Sequence, residues 1–335
     1  MLLLRIIFTV IGLNKINALL SDNFRAFISA NYSKADEDFM TRSDLGEGGS
    51  FGGGNSSRTI NRPIIFVHGI TEVASDMEKL KSYFVERGYA DNELYATSYG
   101  PPGHTTWINE NGKVKCDYVR SIRLFIKAVL AYTNIDKVNI IAYSMGVIVS
   151  RKAILGGKCV ETRTNLGGPL TGFIRNYIGI AGPNHGAILC KTHLGRVPKP
   201  CNLINGMACR SKFLKDINNK QHYEGEFVYV IQTIPDSIVG NTVCDSKSTS
   251  RIDGADDTIT GLQRSLSNLN SEKIFGILTH SKPNGSNGVL DQGKSADPSS
   301  PPPRVDLILL NQHLVLVRCL GADNFPFSWL ELVRF

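Results

Sequence analysis

The sequence predicts an α/β protein with a mostly parallel central sheet and helices on both faces. Short, apolar, β-branched runs carry the first part of that expectation. Ile64-Ile65-Phe66-Val67 and Val138 to Tyr143 lack a polar/apolar alternation, so both faces of each strand need cover. Between such runs lie stretches of helical period, the clearest being Ile122, Phe125, Ile126 and Val129 on one face. The two kinds of segment alternate along the chain, and strands joined through helices lie parallel.

The 335 residues suffice for one large α/β domain or two small ones. Met1 to Leu13 has an apolar core and one early charge, Arg5, with small Ala18 beyond it. That is a secretory signal pattern, assigned to 1–20, and it is too short to span a membrane comfortably. An N-terminal extension over 21–60 is helical around Phe24 to Tyr32. It continues into a loop from Gly46 to Gly54, where glycine density excludes a helix or strand interior. The catalytic domain is expected over 61–285. Its strands fall within 63–69, where the run ends in a glycine turn, and at 94–99, 138–143, 177–181, 227–232 and 273–278. Its helices fall at 75–86, 118–132 and 145–155, the last ended by Gly156-Gly157, with another around 213–217. A cysteine-rich loop region fills 185–210. From 281 to 303 the composition is that of a linker, and 286–335 is a tail of unassigned structure, apolar from Val305 onward and containing Trp329.

Hydrophobic residues make up 42% of the chain, the usual share for a globular protein. No later apolar stretch reaches spanning length, so no stable membrane insertion is expected. The net charge of +7 is spread without a basic run, which argues against a nucleic-acid partner and leaves a weak preference for anionic lipid surfaces. The cysteines are Cys116, Cys159, Cys190, Cys201, Cys209, Cys244 and Cys319. None forms a CxxC pair and no His-x₃-His accompanies them, so no metal is expected. In an oxidising compartment they would pair and close loops on one side of the domain. Their connectivity is not readable, and the odd number leaves one over. Asn31, Asn55 and Asn284 head N-x-[ST] sequons, in keeping with secretion.

A serine hydroxyl is a poor nucleophile until a base takes its proton. One solution places serine on a sharp turn between a strand and a helix. The strained backbone there requires small residues two positions away on each side. Ala142-Tyr143-Ser144-Met145-Gly146 has that form, with strand-like Asn139-Ile140-Ile141 before it and helix-forming Val147 to Ala153 after it. The pentapeptide is common by chance. Its strand–turn–helix setting makes Ser144 the expected nucleophile and the α/β-hydrolase fold the expected architecture. A tetrahedral intermediate needs backbone donors for its oxyanion. Met145 N–H, next to the nucleophile, is one, and Ile70 N–H, in the His68-Gly69-Ile70 turn after the first core strand, is the other. His68 reads as a turn-shaping residue at the pocket, because a base so early would break the Ser, Asp, His order of the fold. The acid should follow a later strand. Asp236, after Phe227 to Gln232, is the choice. Asp253, Asp256 and Asp257 are rivals in a segment that loosely resembles a calcium loop without its ligand spacing. The base should follow the last strand, expected at 273–278, which selects His280 over His313. His185, in Gly182-Pro183-Asn184-His185-Gly186, falls after a strand at the edge where sites form. It either lines the pocket or shapes its loop.

Pro63 to Ile70, Ala142 to Gly146, Arg151-Lys152-Ala153-Ile154-Leu155-Gly156-Gly157 and Gly182 to Gly186 together resemble the class 2 triacylglycerol lipase family of nematodes. That family is similar to small bacterial lipases of the α/β-hydrolase fold. The resemblance takes in Ser50-Phe51-Gly52-Gly53, Leu94 to Gly100 and Phe213 to Asn218 and reaches from about residue 40 to His280. It implies Ser144 as nucleophile, Asp236 as acid, His280 as base and the Ile70 and Met145 amides as oxyanion donors. The residues after His280 depart from the family's usual continuation. The expected protein is a secreted serine lipase that needs no cofactor and no protein partner. It cleaves carboxylic esters of acylglycerols at a lipid–water interface through an acyl-serine. A carboxylesterase for short soluble esters, or a catalytically inactive secreted binding protein on the same fold, are the alternatives.

Overall fold

Among the described residues, seven strands form one sheet. In chain order they are β1 (Ser50–Phe51), β2 (Ile64–Val67), β3 (Leu94–Thr97), β4 (Val138–Tyr143), β5 (Ile174–Ile180), β6 (Phe227–Ile234) and β7 (Asp257–Leu262). The computed structural model describes residues 19–54, 57–103, 112–191, 199–234, 239–244, 247–262 and 271–280. The chain divides into two units, Met1–Ser281 and Lys282–Phe335, and all described residues belong to the first. The signal segment up to 18, the linker, the tail, Asn55, Asn284, His313 and Cys319 lie outside them.

Across the sheet the order is β1-β3-β2-β4-β5-β6-β7. Every neighbouring pair is parallel except β1 with β3. The helices are α1 (Asp22–Asn31), α2 (Lys34–Thr41), α3 (Glu78–Val85), α4 (Cys116–Thr133), α5 (Met145–Leu155), α6 (Lys212–Ile217) and α7 (Ser271–His280). Successive side chains of a strand point to opposite faces. Ile65 and Val67 of β2 therefore join Ile140, Tyr177 and Val228 in a core with Phe24 of α1, Phe125 of α4, Ile148 of α5 and Leu214 of α6. Ile64 and Phe66 join Leu94, Ile141 and Ile178 against Leu80 and Phe84 of α3 and Ile274 of α7. Helices cover both faces, as the unalternating strands require. This is the α/β-hydrolase fold.

The region read as an extension builds part of that core. Ser21 caps α1 by accepting Phe24 N–H, and Ser33 caps α2 by accepting Asp36 N–H. Leu20, which falls within the expected signal segment, bridges Gly52 and is 3% exposed, and Phe24 and Ile28 of the extension are fully buried. Ser50 and Phe51, expected in a loop, form the edge strand against β3. The glycines beyond them permit the close approach of α1. A Cβ on Gly53 (φ +102°) would lie 2.6 Å from Ser21 Oγ.

One strand is misplaced by the sequence reading. Residues 273–278 are not a strand but the middle of α7. The run Ile274-Phe275-Gly276-Ile277-Leu278 is too short for period to separate helix from buried strand. Among the described residues the last strand is β7, whose acidic approach, Asp253 to Asp257, drew the reading toward a loop. Three disulfides among the described residues join Cys116 to Cys159, Cys190 to Cys201 and Cys209 to Cys244. Among the described residues, no helix is long and apolar enough to cross a membrane.

Candidate active site around Ser144

β4 ends at Tyr143 and α5 begins at Met145, so Ser144 is the turn between them. Its φ of 52° and ψ of −126° fall where non-glycine residues are seldom found. Such strain persists only where the surroundings over-determine it. Ser144 N–H donates to Ile180 O at 2.8 Å, and Ser144 O accepts Val147 N–H at 3.0 Å. The small neighbours have direct reasons. Ala142 is fully buried. A Cβ on Gly146 would lie 2.7 Å from Val67 O and closer still to His68 O, so a side chain there would push α5 off β2.

Behind the turn, α5 is anchored by Arg151, which is buried with Nε 2.8 Å from Glu224 Oε1. Its Nη1 donates to Asn184 Oδ1 at 3.0 Å and to Asn218 Oδ1 at 2.9 Å. One guanidinium thus ties α5 to the turn after β5 and to the end of α6.

In front lies the His68-Gly69-Ile70 turn. A Cβ on Gly69 would be 3.1 Å from Ser144 Cβ, so this turn adjoins the serine. Tyr99 N–H donates to His68 Nε2 at 3.2 Å. The ring proton therefore sits on Nδ1, which donates to Gly69 O at 2.7 Å. The imidazole is 2% exposed and stacks on Tyr99 at 4.3 Å. Burial holds its pKa down at about 4. His68 is neutral, with both nitrogens engaged by backbone. It lines a small cavity together with Ile70, Met145, Glu72, Tyr99 and Tyr118. Met145 opens α5, so its N–H has no intrahelical acceptor. Tyr99 and Tyr118 also border a groove of about 700 Å³ that continues past Phe39, Arg42 and Lys115.

His185 and the aspartates that rival Asp236 stand elsewhere. His185 lines a different cavity, of about 240 Å³, with Arg210, Lys215, Asn218 and Asp253. That cavity shares no lining residue with the one at Ile70 and Met145. Asp253 pairs with Arg251 at 2.7 Å. Asp256 Oδ2 accepts Val228 N–H at 2.6 Å and lies 3.1 Å from His222 Nε2. Asp257 opens β7. These two stand at the amino-terminal ends of β6 and β7, the sheet edge opposite Ser144. Among the described residues, no cluster of His, Cys, Asp and Glu is arranged to hold a metal ion. Asp236 lies outside the described residues, two positions after the end of β6.

His280 is the last residue of α7 rather than a loop residue after a strand, and its side chain lies outside the described residues. Residues 263–270, which directly follow the last strand, contain no histidine. Phe275, five positions before His280, packs on Phe84 and Tyr89 with ring centroids 5.8 and 6.4 Å away. There α3 has ended and Gly88 O accepts from Asn61 Nδ2, just ahead of β2. The middle of α7 therefore sits toward the amino-terminal edge. The sequence reading missed Glu72, whose Oε2 accepts Gly69 N–H at 2.6 Å. Its one signal is that it is the sole acidic residue from Pro63 to Ser75.

The family described as Lipase (class 2) matches residues 61–272. Among solved structures, the chain is similar to Bacillus licheniformis lipase BlEst2 in its propeptide form. The identity is 15%, covering 72% of this chain and 56% of that one, with a TM-score of 0.46. Aspergillus fumigatus lipase B is also 15% identical, covering 63% of this chain and 45% of that one, with a TM-score of 0.40. A lipase-esterase related protein from Clostridium acetobutylicum is 13% identical, covering 69% and 96%, with a TM-score of 0.41. The chain spans about half the length of the first two.

Proposed function

The chain belongs to the class 2 lipase family, and from that premise we propose that it is a secreted hydrolase of acylglycerol esters, with Ser144 as nucleophile, Asp236 as acid and His280 as base. The observation that carries this reading is the strained Ser144 turn between β4 and α5, set against the turn that bears Ile70. In the proposed reaction Ser144 Oγ bonds to the ester carbonyl carbon while His280 takes its proton, and Asp236 orients and charge-balances the imidazolium. The Ile70 and Met145 N–H groups receive the oxyanion. Collapse breaks the C–O bond, and the alcohol leaves with the proton from His280. Water, giving a proton to the same imidazole, attacks the acyl-serine. The fatty acid departs and Ser144 regains its hydroxyl.

The groove beyond Tyr99 and Tyr118 offers a place for substrate on the Ile70 side. Secretion is supported by the N-terminal signal pattern, by three disulfides and by the exposed sequon at Asn31. The test is hydrolysis of an emulsified long-chain triacylglycerol and of a short soluble ester by wild type and Ser144→Ala. The expected loss in the variant is about 10³-fold or more. Faster turnover of the emulsion supports a lipase, whereas activity confined to the soluble ester makes the protein a carboxylesterase.

One observation favours a second reading, a catalytically inactive binding protein on the hydrolase fold. His280 closes a helix packed on α3, and an imidazole remote from Ser144 would leave the hydroxyl unactivated. Wild type that hydrolyses neither ester supports this second reading, and where wild type is active His280→Ala tests the base. Loss of ester hydrolysis supports the base assignment, and unchanged hydrolysis places the base elsewhere.

A further inference from the structure

Glu72 belongs to the turn that carries Ile70, and its carboxyl holds the Gly69 N–H at 2.6 Å. A Cβ on Gly69 would lie 2.9 Å from Glu72 Oε2 and 3.1 Å from Ser144 Cβ. The carboxyl and the serine thus flank one point, closer to each other than the sum of those distances. Glu72 also lines the same cavity as Ile70 and Met145. Tyr99, 4% exposed, borders that cavity too, and among the described residues its hydroxyl has no hydrogen-bond partner.

Among the described residues, the groups facing the carboxyl offer it no compensating charge. Asp76, in the following turn, is acidic. Tyr99 and Tyr118 are neutral phenols whose pKa values burial raises. His68 is neutral, and Tyr143 presents the edge of its ring to Gly69. Arg42, whose charge reaches His68 and Tyr118, is engaged by Asp44 at 2.9 Å and by Gly100 O at 3.2 Å.

Resting on the acyl-serine reading above, we propose that Glu72 is a positioning residue that works in its neutral form. Its carboxyl fixes the His68-Gly69 peptide, next along the chain from the Ile70 amide, and loss of its proton sets a negative charge beside the amides that receive the oxyanion. Charge of the wrong sign in a site that excludes water opposes the transition state directly. Burial, opposed by the Gly69 N–H and aided by Asp76, raises the Glu72 pKa to about 7. Acylation of Ser144 therefore falls as pH rises through neutrality. Glutamine keeps an acceptor for Gly69 N–H and never ionises, whereas alanine removes both.

The experiment follows the rate at which a fluorophosphonate labels Ser144, from pH 5 to 9, in wild type, Glu72→Gln and Glu72→Ala. Thermal unfolding is recorded at each pH, so that only folded protein is compared. Wild type should lose reactivity above neutrality. Glu72→Gln should hold it, exceeding wild type roughly tenfold one pH unit above 7. Glu72→Ala should be slow throughout. Superimposable wild-type and Glu72→Gln profiles, or a Glu72→Gln slower at alkaline pH, overturn this role while leaving Ser144 a reactive serine. Wild type that labels at no pH overturns the hydrolase reading, and this role with it.

Discussion

At Gly146 the absence of a side chain sets the distance between α5 and β2, because two carbonyl oxygens occupy the place a Cβ would need. Gly146→Ala should destabilise the fold by about 1–3 kcal/mol through overpacking and slow Ser144 labelling. Urea unfolding and a fluorophosphonate assay measure the two effects. The buried titratable residues pull in opposite directions with pH. His68 has its pKa lowered from 6.5 to about 4, so its contribution to stability is complete above 6.5 and is lost as pH falls toward 4. Glu72 has its pKa raised from 4.5 to about 7, so its contribution is complete below 4.5 and is lost as pH rises toward 7. Between 4.5 and 6.5 the two offset one another. In Glu72→Gln, stability should therefore climb with pH across that window more steeply than in wild type, as urea midpoints would record. The turn position of Ser144 and the placing of Met145 and Ile70 close to it were legible in the sequence because each follows a strand end. Glu72 was not, since a lone carboxyl becomes chemically distinctive only through the burial and the Gly69 contact that folding supplies.

Elements were legible where apolar runs were long or flanked by strong signals. β2 and β4, apolar without alternation, could only be interior strands, and α4, with four apolar residues on one face, could only lie against them. β7 was missed because its β-branched Thr258, Ile259 and Thr260 follow a run of aspartates. α7 was read as a strand because five residues around Gly276 were weighed without Ser271 and Glu272, which open it as helix-start residues. That exchange moved the expected base from a loop to a helix end. The Arg151–Glu224 pair is an element-scale lock that only tertiary structure reveals. Glu224→Leu should cost about 3–5 kcal/mol, because it leaves a buried guanidinium without its counter-ion. Ile274→Ala should cost about 2–5 kcal/mol by emptying the contact between α7 and the sheet. Chemical unfolding measures both.

On the scale of the whole molecule, the sheet positions Ser144 and the Ile70 turn on one edge, and the disulfides hold outlying segments to it. Cys116–Cys159 closes a loop with a sequence separation of 43. Replacing both cysteines by alanine should lower stability by about 3–4 kcal/mol, read as a reduced thermal midpoint. The parallel sheet was legible from patterning; the cysteine pairing was not, because proximity across a fold leaves no trace in spacing. The account stands on Ser144 as an activated nucleophile in that assembly. Its most direct test compares hydrolysis of an emulsified triacylglycerol by wild type and Ser144→Ala, both shown to be folded. The predicted result is turnover by wild type and none above background in the variant. Equal turnover by the two proteins would contradict it.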